Sequence, residues 1–243
     1  MKLLLCIDDT DNLESIGTGE VLENLCEDLK ERGLGTGGFV TRHQLYIHED
    51  IAYTSHNSSM CTAVTADDPE ALVAFSRSYM DTSCAAGSDP GLCVLKLTEG
   101  EEYLPLKEFG QKAKVAVVKK QDAYDLAKTY EGSLWLSEHG GTGDGVIGAI
   151  AGIGLRLTGM DGRIKGKIIP EVDGEVLTVG EYMKKYAIEQ VVDENGAAVP
   201  KEDQLRFFEA TKAVFMNSLV TSTVKKEDGY WVPDRKKLKK RGQ

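Results

Sequence analysis

A run of five apolar residues, 3–7, ends without transition in Asp8-Asp9-Thr10-Asp11, and this junction constrains the fold more than any other stretch. A short, wholly apolar run of this kind reads as a buried strand. Val21, Leu22, Leu25, Cys26 and Leu29 then recur at helical spacing, and Gly33-Leu34-Gly35 supplies the backbone freedom that ends a helix. The chain therefore opens as strand, loop, helix, with three carboxylates crowded into the loop. Such carboxylates repel one another, an arrangement that is tolerable when a cation or abundant water neutralises it. Magnesium meets that demand, because it accepts one or two protein carboxylates and keeps waters and substrate phosphates as its other ligands. An acidic turn that merely caps the following helix stays open as the simpler reading.

Further along, strands are expected at 39–43, 45–47, 60–65 and 92–97, and Asp68-Pro69-Glu70 opens a helix through Ala71, Leu72 and Phe75. Residues 82–91 form a loop of small residues. A helix-rich stretch at 103–131 is interrupted by a strand-like 115–118. Seven glycines fall between Gly140 and Gly154, followed by strands at 163–169 and 171–178 and a helix at 179–186. Asp193-Glu194-Asn195-Gly196 and Glu227-Asp228-Gly229 carry hairpin-turn chemistry. The succession predicts an α/β (α+β) chain with a mixed sheet over residues 1–160 and a smaller antiparallel appendage over 161–243. The expected break lies near 159–166.

Composition narrows the function classes. Of the 243 residues 41% are apolar and 28% charged, an ordinary globular balance, and no apolar run approaches the length of a membrane span. Asp8 and Asp9 interrupt the first apolar run too early for a signal peptide, so the chain is expected in the cytoplasm with no membrane partner. Five cysteines without a C-x-x-C pair indicate reduced thiols rather than a disulfide framework or zinc ribbon, and the four histidines lack metal-site spacing. A net charge of −10 argues against a protein whose main task is coating nucleic acid. The basic tail, Arg235, Lys236, Lys237, Lys239, Lys240 and Arg241, reads as a solvated terminus.

Three other groups bear on chemistry. Gly143-Asp144-Gly145-Val146-Ile147-Gly148 matches G-x-G-x-x-G and opens an apolar helical stretch, so amides at that helix start are suited to a phosphate. Close helix packing explains the same glycines, and Asp144 opposes an anion. Thr18, at the start of the first helix, reads as an N-cap or as a hydroxyl beside helix-terminal amides. Arg42, His43, Tyr53, Ser55, His56 and Asn57 form a polar group that either contacts a substrate or satisfies itself.

In order and spacing these pieces resemble the catalytic region of the archaeal tRNA-isoleucine agmatinylcytidine synthetases. Residues 7–11 resemble the family's I-D-D-T-D motif, with Thr18 at its reactive threonine. Thr41-Arg42 and residues 53–58 resemble its second polar segment, and Ser88-Asp89-Pro90-Gly91 and residues 143–149 continue the likeness to about residue 160. The resemblance implies a kinase-like nucleotide-binding module that uses ATP and magnesium in tRNA modification. It implies that Asp8, Asp9 and Asp11 serve magnesium and phosphate chemistry, and that Thr18 is the phosphoacceptor. Gly143, Gly145 and Gly148 would then hold the nucleotide phosphates, with Arg42 and Asn57 as further nucleotide contacts. Gly17 replaces the family's cysteine, and Glu138, Gly141 and Asp144 stand where the family has basic residues. The family's C-terminal RNA-binding modules are not expected in this chain. The alternative is a non-catalytic nucleotide- or nucleic-acid-binding regulatory protein on the same fold.

Overall fold

The structure, a computed structural model, describes residues 1–51 and 56–234, so Tyr53, Ser55 and the basic tail lie outside the described residues. Two compact units divide the chain, Met1–Thr158 and Gly159–Gln243.

The first unit runs β1 (Lys2–Asp8), α1 (Thr18–Glu31), β2 (Thr36–Gln44), β3 (Ser58–Thr65), α2 (Pro69–Ser83), β4 (Gly91–Lys96), α3 (Leu104–Ala113), α4 (Lys120–Lys128), β5 (Leu134–Glu138) and α5 (Gly145–Leu157). Its strands lie in the order β5-β4-β1-β3-β2, each antiparallel to its neighbour. The first six elements form the split βαβ arrangement, in which β1 and β2 flank the returning strand β3.

Alternation along central β1 explains its unbroken apolar run. Leu3, Leu5 and Ile7 face α1 and α2 with Val21, Leu22, Leu25 and Leu72, whereas Leu4 and Cys6 face α3 and α5 with Leu106, Ile150 and Ile153. Helix α1 ends as its sequence directs: Gly33 sits at φ 68, its amide donates to the Lys30 carbonyl (3.1 Å), and the Leu34 amide donates to that of Leu29 (2.9 Å). Asp68 caps α2 by accepting from the Ala71 amide at 3.1 Å, with Pro69 at the first helical position.

The second unit contains β6 (Arg163–Ile164), β7 (Glu175–Thr178), α6 (Val179–Lys185), β8 (Gln190–Val192), β9 (Gln204–Phe207), β10 (Val214–Met216), β11 (Leu219–Glu227) and β12 (Tyr230–Pro233). The mixed character of the sheet resides here, since β8 runs parallel to β11 and β9 parallel to β12 while the remaining pairs are antiparallel. Helix α6, opened by a reciprocal cap between Thr178 and Glu181, presses Val179 and Tyr182 onto Leu205, Phe207 and Val224. Asp228 and Gly229, at φ 49 and 86, close the β11–β12 hairpin in the left-handed turn their sequence favours.

Several local expectations are corrected. Residues 115–118 form no strand: Val115 and Val117 are exposed in the link between α3 and α4, where no neighbouring strand offers a ladder. The chain leaves the sheet after Gln44, so 45–47 is irregular, and the strands expected over 163–178 shrink to β6 and β7. Strand β5 forms where the residue pattern predicts none.

Candidate functional site

Strand β1 delivers the acidic loop to one end of the first unit's sheet. Its pairing with β4 continues to Asp8 opposite Gly91, and then Asp9 turns the backbone out of the sheet at φ 50. A left-handed conformation at a non-glycine residue is uncommon, and here the neighbouring loop holds it. The Asp89 amide donates to the Asp9 carbonyl at 3.1 Å, and the Ala85 amide to the Thr10 carbonyl at 3.0 Å.

The three carboxylates point three ways. Asp8 lies against α5, where a Cβ built on Gly148 would stand 1.6 Å from Oδ2, so only glycine admits the carboxylate at this close approach. Asp9 faces Asp89, whose charge acts on it. Asp11 Oδ1 accepts a 2.9 Å hydrogen bond from the Thr18 hydroxyl. Thr18 itself is the first residue of α1, and the N-cap position belongs to Gly17. Asn12 turns the chain toward that helix by accepting from the Glu14 and Ser15 amides at 2.9 and 3.0 Å.

The glycine loop meets the acidic loop through residues 88–91. Asp89 Oδ1 accepts from the Gly143 amide at 2.5 Å, and Thr142 Oγ1 donates to Asp89 Oδ2. Gly91 and Gly145 pack backbone on backbone, since a Cβ on Gly91 would come within 2.1 Å of the Gly145 carbonyl carbon. The distant stretches 8–11 and 143–148 therefore adjoin, with Asp89 between them. His139 anchors the same loop by standing between Asp81 (Nδ1 to Oδ1, 2.6 Å) and Ser137 (Nε2 to Oγ, 2.8 Å).

Electrostatics at this junction suit a cation. Burial pushes the Asp8 carboxyl up to about 8, with the charges of Asp9 and Asp11 adding to it and a backbone hydrogen bond at Asp9 opposing. Burial likewise raises Asp9 to about 6, followed by the charges of Asp89 and Asp11. The side chains that act on both are other carboxylates, and a bound cation would relieve each of them. Thr10 Oγ1, fully enclosed, has no hydrogen-bond partner. Among the described residues no three His, Cys, Asp or Glu side chains converge on one point, so an ion at this junction would rely on one or two carboxylates together with waters or ligand oxygens.

Other candidates lie elsewhere. Arg42 pairs with Met60, which pairs with Ile7, so Arg42 occupies the α1 face of the sheet, opposite the Asp8 face. There its Nε donates to Ser58 Oγ at 2.9 Å. Asn57 donates to the Tyr46 carbonyl at 2.6 Å and braces the β2–β3 connection. His43, fully buried, is hydrogen-bonded with Thr41 at 2.8 Å. Sequence reasoning gave Asp89 no role, and it passed over Lys120 and Glu138 as a pair; their proximity arises between elements and leaves no local pattern.

The architecture is one also found in enzymes that act on tRNA. A tRNA fluorescent labeling enzyme superposes with a TM-score of 0.55 at 24% identity, over 78% of this chain and 45% of that one. TiaS, an agmatidine synthetase for an isoleucine tRNA, superposes in its apo form with a TM-score of 0.54 at 23% identity, over 83% of this chain and 49% of that one. Its complex with that tRNA and ATP gives 0.55 at 23% identity, over 83% and 50%. This chain thus has a TiaS-like fold and spans about half the length of those proteins. No protein-family model and no curated protein matches it. Among the described residues no helix is long and apolar enough to cross a membrane.

Proposed function

We propose that the chain is an ATP- and magnesium-dependent, kinase-like enzyme of tRNA modification, related to the tRNA-isoleucine agmatinylcytidine synthetases and working in the cytoplasm. The observation that carries this reading is the meeting of the acidic loop with the glycine loop, Asp8 against Gly148 and Asp89 between the two. Phosphoryl transfer needs positioning, a cation at the phosphate oxygens and donors facing developing charge, and these two loops supply oxygens and amides side by side. One or two of Asp8, Asp9 and Asp11, together with waters and phosphate oxygens, would hold magnesium, which when bound neutralises charge on the transferred phosphoryl group. Gly143 would lie beside the phosphates, and Gly145 and Gly148 let Gly91 and Asp8 come close to the start of α5, bringing the acidic loop to them. Thr18 is the acceptor: its oxygen bonds to the γ-phosphorus, the bond to the bridging oxygen breaks, ADP leaves, and Asp11 Oδ1 takes the hydroxyl proton along the existing 2.9 Å hydrogen bond. The final substrate would be a cytidine of tRNA.

The full chain incubated with γ-labelled ATP and magnesium is expected to hydrolyse ATP or label itself. Asp8→Asn should lower turnover by about 100-fold or more, and Thr18→Ala should remove the self-label. Equal behaviour of wild type and Asp8→Asn defeats the reading. One feature favours a non-catalytic nucleotide-binding regulator instead, the Glu138 carboxylate resting on Gly143; that reading expects binding without turnover.

A further inference from the structure

We infer that Lys120 is the cation that receives the nucleotide's phosphates at the glycine loop, and that Glu138 occupies the phosphate position until a polyphosphate displaces it. The inference rests on the nucleotide site proposed above and adds a residue and a selectivity to it. Residues 138–144 carry Glu138 and Asp144, so the loop itself brings no lysine or arginine to an anion. Positive charge arrives from another element. Lys120, the first residue of α4, extends its ammonium to the Thr142 carbonyl at 2.5 Å and to Glu138 Oε1 at 3.4 Å. Its side chain keeps 32% of its surface exposed, which leaves it open to a ligand.

Local preference does not explain this placement. A lysine at a helix start opposes the helix dipole, and α4 opens with Lys119 and Lys120 together. Residues that break a local rule concentrate where function requires them. The carboxylate it meets is positioned with equal care. Glu138 Oε2 lies against Gly143, 1.8 Å from where a Cβ would be, while Oε1 accepts a 2.5 Å hydrogen bond from the Tyr124 hydroxyl. Burial, followed by that bond to Glu138, raises the Tyr124 phenol above its ordinary value, so it remains a donor.

A carboxylate thus already rests on Gly143, the first glycine of the G-x-G-x-x-G motif, bound by one ammonium and one hydroxyl. A phosphate has the same sign and accepts the same donors. Exchange of one anion for the other leaves Lys120 paired throughout and frees Glu138 to swing toward solvent, its side chain being 37% exposed. The competitor selects for charge: a triphosphate displaces it more readily than a monophosphate, and an uncharged nucleoside has no means to displace it.

Calorimetric titration of the full chain with ATP, AMP and adenosine, each with magnesium, tests this. Lys120→Ala should weaken ATP about tenfold or more while leaving adenosine unchanged, and Lys120→Arg should stay within about threefold of wild type. Glu138→Gln, which keeps the shape and removes the charge, should tighten ATP several-fold and narrow the preference for ATP over AMP. If wild type binds no ATP, the nucleotide site itself is wrong. If wild type binds ATP and Lys120→Ala binds it within twofold, or Glu138→Gln weakens it, the site stands and the exchange between Lys120 and Glu138 is wrong.

Discussion

The two units differ most in charge. Residues 1–158 carry 13 lysines and arginines against 25 aspartates and glutamates, whereas residues 159–243 carry 16 against 14. The first unit, which also holds the acidic loop, therefore carries −12 and the second +2, nearly balanced, for the chain's net −10. Their cores differ as well. In the first unit α5 brings glycine and alanine close to the sheet, and in the second Tyr182, Tyr186 and Phe207 cluster with ring centroids 5.3 to 5.5 Å apart, both tyrosines edge-on to Phe207. Close backbone approach places a carboxylate against a helix in one unit; bulky aromatic packing fills the interior of the other. The first unit carries raised carboxylates at its acidic junction, where burial and like charge act together.

Each side of that comparison can be tested separately. The largest effect is expected from Phe207→Ala, which empties the aromatic centre of the second unit and should cost about 3–5 kcal/mol in denaturant unfolding of that unit. Magnesium-ATP affinity should stay within twofold of wild type; its loss would show that the second unit contributes to nucleotide binding after all. Gly148→Ala comes next. The added methyl collides with Asp8 Oδ2, and ATP turnover should fall about 100-fold, equivalent to roughly 2.7 kcal/mol of barrier. Unchanged turnover would mean that the position of Asp8 does not matter.

The third effect is smaller and depends on pH. Asp8 is raised from 3.8 to about 8 in the folded state, so the unfolded chain releases its proton first, and stability falls as pH rises between those values. Asp8→Asn should flatten this slope and stabilise the protein at pH 8 by about 1–2 kcal/mol without magnesium. A variant that melts with the wild-type pH profile would refute the claim that the burial of Asp8, with the repulsion of Asp9 and Asp11 added to it, burdens the first unit.

What the sequence disclosed was local. The apolar run 3–7, the helical spacing of Val21 to Leu29 and the turn at Asp228-Gly229 each carry their cause within a few residues, and each forms as expected. Strand β5 pairs among the described residues with β4 alone, and its five residues, from buried Leu134 to exposed Glu138, make too weak a pattern to read. Val115 and Val117 have the opposite history, with strand propensity but no strand to pair with. The acidic and glycine loops were each visible as separate signals, but their meeting depends on the β1–β4 register and on how α5 crosses the sheet. Arg42 shows how fine that dependence is: its face follows from pairing with Met60, and a slip of one residue would reverse it.

Asp89 spans the gap with one short side chain, its backbone fastened to Asp9 and its two oxygens to Gly143 and Thr142. The acidic loop and the glycine loop are thus joined through one short side chain, beside the packing of Asp8 on Gly148 and of Gly91 on Gly145. Replacing Asp89 would therefore release the glycine loop from both side-chain hydrogen bonds while the backbone bond to Asp9 remained.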